Sequence, residues 1–385
     1  MRFLIAPDKF KGCLNASDAA RIMSRGVRDA CPGAKIQCVP LADGGDGTAE
    51  ILCRALGARK KHAVVRNPIG KPISASWGLR GRTAYVDMAG ASGLDRVPPS
   101  KRNPWKTSSY GTGQLLRAAV EAGARNLVLG VGGSATVDGG LGAMKALGIR
   151  FLDQRDREIP DGGAGLLQLK RVDLGRCVWN GKSVTLIILA DVANPLLGPN
   201  GAAPVFGPQK GTTPAMVRDL SRGFQRLDSV IRRQFGKSIG KIVSGGAAGG
   251  IVAGCVGVLG SVSGVNVRVM HGIDFVMDAL EVEERMRWAD WILTGEGSLD
   301  SQTAEGKTVQ GVAKMARRFK KPVIAFAGKL DLDERSVKKM GLRAAFNIAP
   351  RPCSLEESFR HAAPWLRAAV RDAMRLIHPR VSPAQ

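Results

Sequence analysis

Short apolar runs alternate with amphipathic stretches from the start of the chain. "RFLIA", residues 2–6, reads as a first strand. Behind it, after "PDKFKG", Ala20, Met23, Val27 and Ala30 recur at helical spacing. Asn15 or Ser17 is placed to cap that helix, and Pro32-Gly33 ends it. "KIQCVPLA", "DGGDG" and "TAEILCRAL" then repeat the unit, with Gly57 where left-handed geometry usually closes a helix. The resulting βαβα order predicts a parallel sheet covered by helices.

From about residue 72 the texture changes. "ISASWGL" and "RTAYVDMA" predict paired strands, followed by loop-rich sequence to Asn103, a helix over "GTGQLLRAAVEAGA" and a strand at "NLVLGV". A long basic helix is expected near 214–236. After about 285 the simple rhythm returns with "ADWILTG", a helix over "TVQGVAKMARRF", and strands at "PVIAFAG" and "AAFNI". The last helix opens on a capping box, Ser354 to Glu357, and its spacing turns Phe359, Leu366 and Val370 inward. The fold expected is therefore α/β with two unlike α/β domains. Residues 1–72 and 285–378 form a discontinuous, Rossmann-like domain on a doubly wound parallel sheet. Residues 73–284 form an inserted α/β domain, and 379–385 read as a frayed tail.

Length supports two domains, since 385 residues exceed what one ordinary core holds. Seven cysteines without a CxxC pair read as reduced, intracellular thiols, and four scattered histidines without HxxxH argue against a histidine-based metal site. The formal charge of +24 suits anionic partners. Its densest runs, "RKK" at 59–61 and "RRFKK" at 317–321, are short, and aromatics make up 5% of the chain, so nucleic-acid binding is a minor alternative. "MRFLIAP" is cut off at once by Asp8 and Lys9, unlike a signal peptide. The uncharged stretch 242–267 is long enough to imitate a membrane span, but its glycines, serines and one asparagine read as a buried loop and helix. A cytoplasmic protein with no membrane partner is expected, with homo-oligomerisation left open.

Candidate chemistry gathers behind the strands. The polar, glycine-bearing loops there carry Asp8, Lys9 and Lys11; Asp43 and Asp46; Ser134, Thr136 and Asp138; Asp191 and Asn194; Glu296, Ser298, Asp300, Gln302 and Thr303; and Lys329. In doubly wound sheets ligands bind at the carboxyl ends of strands, where helix N-termini point amide donors outward. Lysines neutralise phosphoryl oxygens, clustered carboxylates hold Mg²⁺, and glycine lets backbone approach a polyphosphate. Phosphoryl transfer asks for little else. Two near matches point elsewhere. "GVGGSA", Gly130 to Ala135, fits a GxGxxA dinucleotide pattern with Asp153 about 20 residues on, which keeps an NAD-linked dehydrogenase as a rival. "SQTAEGKT" ends like a P-loop at Gly306, Lys307 and Thr308, yet Ser301 stands at its first glycine position.

Taken together, "PLADGGDGT", "SSYGTGQL", "GVGGSATVDGG", "DVANPLLGPNGA", "VFGPQKG", "GGAAGG" and "LTGEGSLDSQTAEGKT" resemble the class I glycerate kinase family, in family order over nearly the whole chain. Departures occur at Asp46, Val137 and Ala193, where that family often has Glu, Asn and Asp. The resemblance implies ATP-dependent, Mg²⁺-assisted phosphorylation of D-glycerate, most often to 2-phosphoglycerate. It also implies two unlike α/β domains with the active site in the cleft between them. On that expectation Lys9, Asp43 and Asp191 are catalytic, Lys9 for charge and the two carboxylates for aligning or deprotonating the attacking hydroxyl. Lys11, Gly44, Gly45, Gly132, Gly133, Ser134, Asp138, Asn194, Ser298 and Lys329 bind substrate or phosphate, while Asp191, Glu296 and Asp300 hold the metal. A kinase of another small hydroxy or sugar acid remains the nearest alternative.

Overall fold

The protein is seen as a computed structural model that describes residues 1–300 and 308–377; the expected frayed tail lies outside the described residues. Thirteen strands form among those residues: β1 Arg2–Ile5, β2 Lys35–Cys38, β3 Arg59–Arg66, β4 Pro72–Arg80, β5 Thr83–Asp87, β6 Asn126–Gly130, β7 Arg150–Leu152, β8 Arg171–Asp173, β9 Val184–Leu189, β10 Val265–Met270, β11 Trp291–Leu299, β12 Val323–Leu330 and β13 Ala344–Asn347. They divide between two units, the first made of Met1–Asp43 and the chain from Ile273 onward, the second of Gly44–Gly272.

The first unit holds a sheet in the order β13-β12-β11-β1-β2, parallel throughout. Phe3, Leu4 and Ile5 are fully buried, as expected of a central parallel strand covered on both faces. Strand order reverses between β1 and β11, which makes their carboxyl ends the switch point where such sheets bind ligands. The helix Ala16–Ala30 starts where Asn15 accepts the Asp18 N–H at 2.8 Å, and it buries Ala20, Met23 and Val27. It packs on the terminal helix Leu355–Ile377, whose entry is capped by the Glu357 N–H donating to Ser354 Oγ at 3.1 Å. Leu366 and Val370 of that helix are buried as predicted. Phe359 is not: it is 40% exposed, its ring lying over Gly12 at the margin of the unit.

The second unit carries a mixed sheet, β10-β9-β6-β5-β4-β3, parallel from β10 to β5 and antiparallel through β4 and β3. The predicted pairing of "ISASWGL" with "RTAYVDMA" is the β4–β5 hairpin, closed by Gly81 and Arg82. Its core is larger and includes Trp77, Leu129, Phe151, Trp179, Leu186 and Phe224. The basic helix runs Pro214–Phe235, with Thr213 as its N-cap and Gly236 in left-handed geometry behind it. The uncharged stretch holds the segment Ala247–Gly257, buried along most of its length and helical apart from left-handed backbone at Ala248, Gly249 and Gly250. No helix among the described residues is long and apolar enough to cross a membrane.

One part of the organisation differs from the sequence expectation. The chain leaves the first unit at 43/44 and returns at 272/273, rather than at 72/73 and 284/285. "TAEILCRAL" looks like the helix of a continuing βα repeat, but β3 behind it pairs with β4 from Arg59–Leu79 to Arg66–Pro72. Local periodicity marks a helix without saying which sheet it covers.

Candidate active site

In the first unit, chemistry gathers behind β1. The chain turns after Ala6, whose N–H reaches Leu293 O, and the Asp8 N–H reaches Gly295 O at 2.9 Å, so the loop stays laced to β11. Asp8 is 5% exposed and accepts from Thr308 Oγ1 at 2.5 Å and from the Lys9 N–H at 2.6 Å. Burial, and then the charge of Asp43, push its carboxyl up to about 7. Asp8 is the residue the sequence reading left without a role. Its signal was present, an acidic group directly behind the first strand, but nothing local showed that Asp43 and Thr308 would stand beside it. Lys9 is half-buried, and Lys11 is exposed, its backbone N close to Gly297.

Glu296, Ser298 and Lys329 were expected in loops, yet all three lie on strands. β11 and β12 stay in register through Glu296–Ala327, Ser298–Lys329 and Leu299–Leu330. Gly295 and Gly297 look like turn residues in the sequence. Here they let the Phe326 carbonyl and the Lys11 amide come close to β11 without ending it. Glu296 is buried, Ser298 Oγ lies 3.4 Å from Asp300 Oδ2, and Lys329 is exposed and ion-paired with Asp331 at 3.3 Å.

In the second unit, three strand ends converge on the segment behind Asp43. Gly44 has φ +95°, and a Cβ there would lie 3.1 Å from Asp191 Oδ1 and from Leu189 O at the end of β9. The Gly132 N–H, behind β6, donates to Gly44 O at 3.3 Å. Asp87, the last residue of β5, accepts from the Gly47 and Ala49 N–H groups, both at 3.0 Å, and so seats the start of the helix Thr48–Leu56. Gly44, Gly45, Gly132 and Asp191 are thus brought together, with Gly133 packed near the Asp46 Cβ position. Asn194 donates from Nδ2 to Asn200 O at 2.9 Å.

Ser134 and Asp138 occupy the next stretch. Asp138 is fully buried and accepts from Ser109 N, Ser109 Oγ, Gly140 N and Gly142 N at 2.8 to 3.2 Å. Burial raises its pKa, and these bonds oppose the rise. Its partners make it a staple between the starts of the helices Tyr110–Glu121 and Leu141–Ala146. Because that second helix begins only at Leu141, the "GVGGSA" turn does not open directly onto a helix as the dinucleotide pattern requires. Asp153 is engaged instead by Arg157 and the Arg155 N–H. Gln302, Thr303, Gly306 and Lys307 lie outside the described residues, while Thr308 opens the helix Thr308–Arg318. Among the described residues no group of three or more acidic, histidine or cysteine side chains stands close enough together to hold a metal.

A parallel α/β sheet split by an inserted unit, with lysines, carboxylates and close-packed glycine backbone at its strand ends, is the architecture of an α/β enzyme suited to anionic substrates. The description "Glycerate kinase family" matches residues 3–378. The chain is 42% identical to a glycerate kinase of Bacillus subtilis (strain 168), over 97% of this chain and 96% of that one. It is 40% identical to a glycerate 2-kinase of Escherichia coli (strain K12), over 94% of each. A solved structure from Salmonella typhimurium LT2, described as glycerate kinase 2, superposes with a TM-score of 0.83 at 39% identity over 98% of both chains. The chain belongs to the glycerate kinase family.

Proposed function

We propose that the protein transfers the terminal phosphoryl group of ATP to the 2-hydroxyl of D-glycerate, giving 2-phosphoglycerate and ADP. The name of the E. coli relative supports that hydroxyl. The observation that carries the reading is the close packing of the Gly44–Gly45 and Gly132 backbones beside Asp191, which only glycine permits and which sets the loops behind β6 and β9 side by side. Asp191 aligns the acceptor hydroxyl and takes its proton as the new O–P bond forms. Gly132, Gly133 and Ser134 grip anionic oxygens, Asp138 builds the loop that presents them, and Asn194 borders the same loops. Lys9 and Lys11 offset the charge of the two anionic substrates. Glu296, Ser298, Asp300 and Lys329 serve the nucleotide side.

Magnesium takes oxygen ligands, and the Asp8 carboxylate, raised by burial and by Asp43, is the donor whose repulsion a divalent cation relieves. Asp8 and Asp43 would therefore hold Mg²⁺, which when bound supplies charge neutralisation at the transferring phosphoryl group. The test is an ATP-coupled assay over a panel of small hydroxy acids, with phosphorus NMR of the product. Glycerate-dependent ATP consumption yielding 2-phosphoglycerate is expected. A 3-phosphorylated product would overturn the assigned hydroxyl, and a better acid than glycerate would overturn the substrate.

A further inference from the structure

Lys210 is the most unusual cation among the described residues of the second unit. It sits on the short turn Pro208–Lys210 and is only 3% exposed. Its Nζ donates to Ser134 Oγ and to Thr136 O, both at 2.8 Å. The charged groups bearing on it reduce to the buried Asp138 carboxylate, with the Cys255 thiol buried in the same neighbourhood. Burial lowers Lys210 to about 7, and Asp138 holds it up against that pull. A buried ammonium costs several kcal/mol of desolvation, and a methionine of similar length would fill the space without that cost. Both of its acceptors belong to one loop, the one that carries Ser134.

The consequence lies at the Ser134 hydroxyl. In its protonated form Lys210 has donors and no lone pair, so Ser134 Oγ then accepts from it and turns its own proton elsewhere. Among the described residues that O–H has no acceptor, although Ser134 is 6% exposed. A largely buried hydroxyl kept as a donor is suited to an anionic oxygen brought by a ligand. We infer that Lys210 is a positioning residue for the kinase reaction: it fixes the Gly133–Thr136 loop and aims the Ser134 proton at a carboxylate or phosphoryl oxygen of the bound substrates. This rests on the reading that the Ser134 loop grips substrate. Lys210 itself touches no substrate in this account.

The test is a double-mutant cycle of Lys210→Met, Ser134→Ala and the pair, with melting temperature and kcat/KM for glycerate and for ATP measured on each. Each single change is expected to lower kcat/KM by about tenfold to a hundredfold, the loss of one charge-assisted hydrogen bond at the site. The double variant is expected to be no worse than the poorer single, because Lys210 acts through Ser134. A Lys210→Met protein that melts like the parent and keeps its kcat/KM overturns the inference, and so do losses that multiply in the double variant. If Lys210→Met does not fold, Lys210→Ala is assayed with ethylammonium chloride against tetramethylammonium chloride. Recovery with the first salt alone supports the inference, and no recovery overturns it. Wild-type kinetics in Ser134→Ala would remove the Ser134 and Lys210 roles while leaving the kinase activity in place. Absence of glycerate-dependent turnover in the parent would instead remove the activity itself.

Discussion

A side chain on Gly132 would stand 2.5 Å from the Cα of Gly45, so the loop behind β6 and the loop behind Asp43 touch backbone to backbone. Real Cβ atoms do not approach a Cα so closely, and neither partner is a flexible side-chain end. Gly132→Ala is therefore expected to push the two loops apart, destabilising the second unit by about 1–3 kcal/mol and lowering kcat/KM about tenfold or more. Thermal melts with steady-state kinetics check it. A variant with the parent's stability and turnover would show that these loops have room to spare.

Asp87 does for the helix Thr48–Leu56 what a side-chain cap does elsewhere. The N-cap of that helix is Gly47, which has no side chain, and Asp87 reaches across from β5 to accept the Gly47 and Ala49 N–H groups. A carboxylate at a helix N-terminus also meets the positive end of the dipole. Asp87→Ala should cost about 1–2 kcal/mol, a fall in melting temperature of about 2–8 °C at this size. Asp87→Asn, which keeps an acceptor but not the charge, should lose less. Equal losses for both would locate the effect in charge alone.

Much of this architecture was legible locally. "RFLIA", the Asn15 cap, the β4–β5 hairpin and the Ser354 cap each follow from short-range pattern, and each formed where the residues placed it. What escaped reading depends on partners far along the chain. Gly295 and Gly297 punctuate "LTGEGSL" like a loop, and only β12 at their side keeps Glu296 and Ser298 in a strand. Lys210 follows Pro208-Gln209 and precedes Gly211, a turn sequence where a lysine usually faces water; the hydroxyl that holds it belongs to Ser134, in a different loop. Asp138, which the family resemblance places among the ligand-binding residues, takes hydrogen bonds from the Gly140 and Gly142 amides beside it, a role its sequence neighbours do not announce.

Asp8 sets a pH dependence with a definite sign. Its ordinary value is 3.8 and burial, followed by Asp43, raises it to about 7. Between about pH 4 and pH 7 the folded chain thus holds a proton that the unfolded chain has released. The stability tied to that proton is fully present at low pH and falls as pH rises through about 7, by about 4 kcal/mol at most. Asp8→Asn keeps an acceptor for Thr308 and has nothing to titrate. It should melt near the parent at about pH 4.5, melt higher than the parent at about pH 8 in a chelating buffer, and need more Mg²⁺ for half-maximal turnover. Parallel melting curves across that range would remove Asp8 from the titration.

Asp138 provides the sharpest test of how the second unit is held together. Its two oxygens receive four donors, three from backbone amides and one from Ser109 Oγ, and Ser109 Oγ in turn accepts from the Ala143 N–H at 2.9 Å. Asn at this position is nearly isosteric, but its amide nitrogen brings two donors to face donors already there. At least one N–H then loses its acceptor inside the core, a cost of about 1–3 kcal/mol for each group stranded. The change also removes the carboxylate that raises Lys210, so its ammonium is expected to lose its proton at lower pH and release the Ser134 hydroxyl from its fixed direction. Asp138→Asn should therefore lose both stability and turnover, with the turnover loss larger above neutral pH than below it. A variant that loses stability alone, with a pH–rate profile parallel to the parent's, would confine Asp138 to holding the helices and separate it from the chemistry at Ser134.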